Sequence, residues 1–78
     1  MRAKMKVAEV VKTEHGETLK MCAVCKDGNY GEDGSDEDNT YAKFSPSASL
    51  EILVANPALF GQFQPGQKLY VDFTEAAS

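Results

Sequence analysis

The sequence predicts an all-β fold: about five mostly antiparallel strands in a small barrel or sandwich, with one short helix near residues 57–63. Three observations lead there. Two segments alternate apolar and polar residues with the period of two that marks a half-buried strand, 18–26 and 67–74. The opening segment is rich in valine (Val7, Val10, Val11) and free of glycine and proline. Turn signals at Gly16, Pro46 and Pro65-Gly66 divide the rest into short pieces.

Taken in order, residues 4–12 form the first strand and 13–17 a turn in which Gly16 can take positive φ. In the second strand, 18–26, Leu19, Met21, Ala23 and Cys25 share one face, and the two runs make a hairpin. Residues 27–39 are a loop with glycines among acids, long enough for so small a domain to suggest a functional or disordered segment. Short strands follow at 40–45 and 47–55, the latter with Leu50, Ile52 and Val54 on one face and Leu53 on the other. Asn56-Pro57 is a helix-start pair, because asparagine caps and proline suits the first helical position. The last strand, 67–74, turns Leu69, Val71 and Phe73 inward and Lys68, Tyr70 and Asp72 outward. The expected core is Val7, Val10, Leu19, Met21, Ala23, Phe44, Leu50, Ile52, Val54, Leu59, Phe63, Leu69, Val71 and Phe73. An OB-like barrel has the same inventory of strands and helix, although its helix usually falls elsewhere.

The 78 residues suffice for one domain, residues 1–78. A chain of this size buries a modest share of its surface, so help from oligomerisation is plausible on size alone. The formal charge is −4, unevenly spread: residues 27–38 hold six of the 12 acids and no base, leaving the rest about two units positive. An acidic chain argues against sequence-independent nucleic-acid binding, which needs cations to displace phosphate counterions. No apolar run is long enough to span a bilayer, and no apolar stretch follows the charged start as in a secretory leader. The expected place is therefore a cytoplasm, where two cysteines stay free.

Four groupings invite a chemical reading. Cys22 and Cys25 form a CxxC, but on a strand residues three apart face opposite ways and the second ligand pair zinc needs is missing, so they read as two small half-buried residues. His15 sits in the hairpin turn beside Glu14 and Glu17 with no nucleophile near it in sequence, although a pairing with Cys22 or Cys25 is conceivable. The acidic loop, through Asp33, Asp36, Glu37 and Asp38, is the first choice of partner-binding surface, for a basic protein partner. It does not follow the EF-hand spacing for calcium, and its plainest reading is a solvated, like-charged loop. Finally, Arg2, Lys4 and Lys6 alternate along one strand face. With Tyr41, Lys43, Phe44 and Tyr70 they would offer a basic-aromatic face for a nucleotide or single-stranded nucleic acid, against the simpler reading of solubilising edge charges. No phosphate-binding glycine loop is present, and no cofactor or metal is implied.

The segments Glu37-Asp38-Asn39-Thr40-Tyr41-Ala42-Lys43-Phe44-Ser45-Pro46-Ser47-Ala48, Ala55-Asn56-Pro57-Ala58-Leu59-Phe60, Phe63, Pro65-Gly66-Gln67 and Tyr70-Val71-Asp72-Phe73-Thr74 resemble small proteins of tailed bacteriophages and prophages. The resemblance covers roughly residues 37–74 and brings no functional residues with it. It implies a viral protein at work in a bacterial cytoplasm or in a virion. In that setting a non-enzymatic accessory is expected, one that binds stoichiometrically and inhibits or sequesters a host defence component or its small signal nucleotide. The alternatives are a virion accessory, such as a capsid decoration or head-completion protein, and an OB-like single-strand binder.

Overall fold

The computed structural model describes residues 1–26 and 30–77. Among these residues the strands are β1 (Arg2–Thr13), β2 (Gly16–Ala23), β3 (Ser49–Val54) and β4 (Lys68–Asp72), with a 3-10 turn at Pro57–Leu59. The protein is all-β. Its strands make one antiparallel sheet in the order β3-β2-β1-β4. The sheet is open rather than closed into a barrel, and it has four strands where the sequence suggests about five. The fold measures 48 × 34 × 16 Å, which is the shape of a sheet with loops laid on it rather than of two packed sheets.

The β1–β2 hairpin turns at Glu14-His15, where the Thr13 hydroxyl accepts from the His15 amide (3.1 Å) and donates to the Gly16 carbonyl (3.2 Å). Gly16 has φ +144°, and a Cβ there would run into the carbonyl of Val54, so glycine is needed both for conformation and for close passage of β3. A bulge between Val7 and Glu9 leaves Ala8 without a partner on β2. It explains how Val7 and Val10, three apart, serve one core: a regular strand would send them to opposite faces, and the extra residue restores Val10 to the side of Leu19.

The core lies on one face of the sheet. Ala3, Met5 and Val7 alternate along β1, Leu19 and Met21 along β2, and Val54 closes β3. Val10, Tyr41, Ala48, Leu50, Leu69 and Val71 pack against this centre. Ala3 is absent from the expected core because β1 begins two residues before the expected strand 4–12, and Met5 because the valines, not the alternation Ala3-Met5-Val7, led the reading.

Several expectations give way. Residues 40–45 are not a strand: Thr40 is held to β1 by its own groups, its amide donating to the Arg2 carbonyl (2.9 Å) and its hydroxyl accepting from the Arg2 amide (2.8 Å). Phe44 then takes φ +62°, which ends any extended run. Phe44 is 52% exposed rather than core, stacked on Gly34 and tilted against Tyr30 at 6.0 Å. The helix expected at 57–63 stops after Pro57–Leu59. Asn56 caps as anticipated, accepting from the Ala58 amide (3.0 Å), but the Gly61 amide donates to the Glu17 carboxylate (2.7 Å) instead of to a fourth turn residue. Ile52, Leu59 and Phe73 are also exposed, because β3 is an edge, the turn is short and β4 ends at Asp72. Among the described residues no helix is long and apolar enough to cross a membrane.

Candidate binding surfaces

The acidic loop is built onto the sheet rather than held away from it. Residues 27–29, its first three, lie outside the described residues. The remainder is organised by Asn39, whose side chain is fully buried. Val24 continues the β1–β2 ladder by donating its amide to the Lys4 carbonyl (2.9 Å). The reciprocal ladder bond would run from the Lys4 amide to the Val24 carbonyl. Asn39 stands in that place: its Oδ1 accepts from the Lys4 amide (2.9 Å) and its Nδ2 donates to the Val24 carbonyl (2.8 Å). The second Nδ2 proton goes to Asp36 Oδ2 (3.1 Å). A side-chain amide thus splices the loop into the sheet with the donor–acceptor pattern of a peptide bond.

The acids of the loop divide accordingly. Asp36 is buried, its carboxylate accepting from Asn39 and from the Asp38 amide (2.9 Å). Desolvation pushes its carboxyl up, but the hydrogen bonds from Asn39 and the Asp38 and Asn39 amides, with Lys26 nearby, outweigh it and hold the pKa below the usual value. Asp38 is half-buried and turned onto the sheet, where Oδ1 accepts from the Tyr70 hydroxyl (2.8 Å) and Oδ2 meets Lys4 Nζ (3.5 Å). Asp33 is exposed and accepts from the Ser35 amide (3.0 Å), the first cause of its lowered pKa. Glu37 is exposed and reaches Lys26 Nζ (3.5 Å). Of the four acids singled out in the sequence, Asp33 and Glu37 face solvent, while Asp36 and Asp38 spend their charge inside the molecule.

The basic-aromatic residues do not share one face. Lys4, Lys6 and Tyr70 lie on the polar face of β1 and β4, where Lys4 is opposite Tyr70 and Lys6 opposite Lys68. Arg2 lies over the Tyr70 ring (4.4 Å to its centroid) and pairs with Asp72 through Nε (2.7 Å) and Nη2 (3.2 Å). That pair raises the Arg2 pKa and lowers that of Asp72, and the bond to Asp38 raises that of Tyr70. Tyr41 is on the opposite face, packed against the core, its hydroxyl buried with no hydrogen-bond partner among the described residues and its pKa raised by burial. Lys43 is exposed beside a shallow depression lined with Ser35, Asp36, Glu37, Thr40 and Tyr41. A smaller apolar cavity of about 160 Å³ opens between the N-terminal end of β1, Tyr41, Leu50 and Phe73.

The remaining candidates stay apart. His15, at the hairpin tip, approaches Glu14 (3.4 Å). Cys22 lies seven residues along β2, about 20 Å away at the rise of a strand, which prevents a Cys22–His15 pair. Both cysteines are free and exposed. Among the described residues no three of the His, Cys, Asp and Glu side chains converge to hold a metal ion.

The sequence reading passed over Asn39, whose role depends on a ladder gap 15 residues away. It also misplaces the strand at 47–55: the mixed apolar pattern suggests a central or barrel strand, but β3 lies at the edge, exposed on both faces through Ile52 (47%) and Leu53 (49%). The class defined by these features is an open, single-sheet β protein whose charged loop is folded back on its own sheet. No family model, no curated protein and no solved structure matches the chain.

Proposed function

We propose that this chain is a non-enzymatic binding protein that acts by stoichiometric contact with a macromolecular partner. In the setting implied by the phage resemblance, that partner is a component of a bacterial host, and the contact inhibits or sequesters it. The observation that carries the reading is the exposure of large apolar side chains. Ile52, Leu53, Leu59, Phe60 and Phe73 are between 37% and 54% exposed, on both faces of the edge strand β3, at the 3-10 turn and just past β4. Exposed large apolar side chains in this number mark contact sites. A macromolecule is favoured over a small nucleotide because Asp38 occupies Lys4 and Tyr70 while Tyr41 faces the other way.

The test is to express the tagged chain in a bacterial host and isolate it under gentle conditions for size-exclusion chromatography and native mass spectrometry. The expected result is a complex of fixed stoichiometry, weakened at least tenfold by Phe60→Ser or Phe73→Ser with the fold intact. Recovery of the free chain alone at every salt concentration would sink the proposal. Recovery at fixed copy number in purified phage particles would assign the contact to the virion instead. A retained nucleotide, released on denaturation, would move the contact to a small signal.

A further inference from the structure

The outer edge of β3 carries a second inference, which assigns Ile52 and Leu53 to a second copy and leaves Leu59, Phe60 and Phe73 to the partner of the proposed function. The Ala23 amide donates to the Ala48 carbonyl (3.0 Å), which fixes the phase of the β2–β3 ladder. With Met21 opposite Leu50 and Leu19 opposite Ile52, the amides and carbonyls of Leu50, Ile52 and Val54 point to β2. Those of Ser49, Glu51 and Leu53 point outward, where no strand pairs with β3 among the described residues. Natural edges are blunted by charged side chains, lysine above all, and by proline, bulges or covering segments. The strand reads Ser49-Leu50-Glu51-Ile52-Leu53-Val54, pairs regularly along its length, has no lysine, proline or bulge, and carries the single charge of Glu51. The opposite edge, β4, is shorter and begins with Lys68.

We infer that β3 pairs with β3 of a second copy of this chain, antiparallel about a two-fold axis at Ile52, to give a continuous eight-stranded sheet. The side chains select this register. With Ile52 opposite the partner's Ile52, Leu50 faces the partner's Val54 and Glu51 faces the partner's Leu53. The core faces of the two copies then join, and the outward-pointing amides of Glu51 and Leu53 bond across the axis. Moving the axis to Glu51 sets two carboxylates directly opposite each other, which is destabilising. Moving it to Leu53 sets Leu50 opposite a polar Asn56. Pairing through β3 leaves the lysine-bearing β4 strands as the outer edges. Self-complementarity about a two-fold is the property that a second copy supplies and an unrelated peptide does not.

The experiment combines sedimentation velocity across a concentration series with disulfide trapping in a Cys22→Ser, Cys25→Ser background. Residues opposite themselves in a non-hydrogen-bonded pair have Cα atoms about 4.5 Å apart, within reach of a disulfide. Ile52→Cys should therefore oxidise to a covalent dimer in high yield, and Leu53→Cys, which faces Glu51, should not. Leu53→Pro removes an outward amide that bonds to none of the described residues, so it should abolish the dimer while the circular dichroism stays β-rich. Should that variant unfold, the trapping pair decides alone. A chain that remains monomeric up to about 1 mM overturns the inference. So does a dimer that traps at least as well through Leu53→Cys as through Ile52→Cys.

Discussion

Replacing Asn39 with alanine tests whether one side chain holds the acidic loop to the sheet. The substitution removes an acceptor from the Lys4 amide, a donor from the Val24 carbonyl and a donor from the Asp36 carboxylate, at a position with no solvent exposure. An unsatisfied buried polar group costs roughly 1–3 kcal/mol. Water can reach the half-buried Lys4 end, and the ladder can partly close from Lys4 to Val24, so the lower part of that range applies to each group. The expected loss is about 2–4 kcal/mol. A domain of 78 residues has a total of about 4–12 kcal/mol to lose. The change should therefore be visible in a urea titration and lower the melting temperature by on the order of 10–30 °C.

The control is Asn56→Ala, the same substitution at an exposed cap that bonds one amide, expected to cost about 1 kcal/mol or less. Hydrogen exchange adds a site-specific readout, because the Lys4 amide should lose protection in Asn39→Ala and keep it in Asn56→Ala. Asn39→Asp should be worse than alanine at neutral pH, since it sets a second carboxylate against Asp36, and should partly recover as the pair takes up a proton. A cost for Asn39→Ala below about 0.5 kcal/mol, in the range of ordinary surface substitutions, with the Lys4 amide still protected, would refute the splice.

Asp36 makes stability depend on pH in a set direction. Its folded pKa is depressed, so its contribution is complete above the unfolded value near 3.8 and is lost as pH falls through the folded value. Urea midpoints measured from neutrality down through this window should fall, less steeply in Asp36→Asn, and equal slopes would exclude a role for this carboxylate. Gly16→Ala should destabilise more than Gly61→Ala. A Cβ at Gly16 meets the Val54 backbone, whereas Gly61, at φ +81°, has open space and only the conformational cost of about 1 kcal/mol. Thermal melts of the two variants compare them directly. In ultraviolet titration Asp38→Ala should lower the pKa of one tyrosine, because the Tyr70 phenol loses the carboxylate that resists its ionisation; an unchanged titration would place Tyr70 away from Asp38.

The strands that could be read from the sequence are those whose pattern is local. Lys20 and Cys22 alternate with Leu19 and Met21 because β2 has a neighbour on each side and one wet face, the condition under which a period of two appears. The Ser49–Val54 strand was legible as a strand but not as an edge, since an apolar residue on each face suits an inner strand and an unprotected edge equally. The Thr40–Ser45 segment has the composition of a strand, yet its amides are taken one by one, Thr40 by Arg2, Ala42 by Asn39 and Phe44 by Gly34, and Phe44 crosses into positive φ. Nothing within six residues announces the bonds to Arg2 and Gly34. The bulge at Ala8 was legible only in retrospect, as the device that puts Val7 and Val10 on one side.

The loop shows how charge in a sequence differs from charge on a surface. Six acids in residues 27–38 suggest a patch offered to a basic partner. In the fold, Asp36 serves Asn39 and the Asp38 amide, and Asp38 joins Tyr70 and Lys4. Asp38 also neutralises Lys4 on the lysine face that would have been the rival binding surface, so the two electrostatic candidates partly cancel each other. What they leave exposed is apolar: the edge at Ile52 and Leu53, and the aromatic residues at Phe60 and Phe73. Apolar contact weakens little with salt, whereas a contact made by Asp33 and Glu37 is screened within about 10 Å at 0.1 M. The salt dependence of whatever this chain binds therefore separates the two surfaces. A complex that survives high salt but is lost in Phe60→Ser belongs to the apolar surface. One that dissolves with salt, and is lost when Asp33 and Glu37 are neutralised, belongs to the loop.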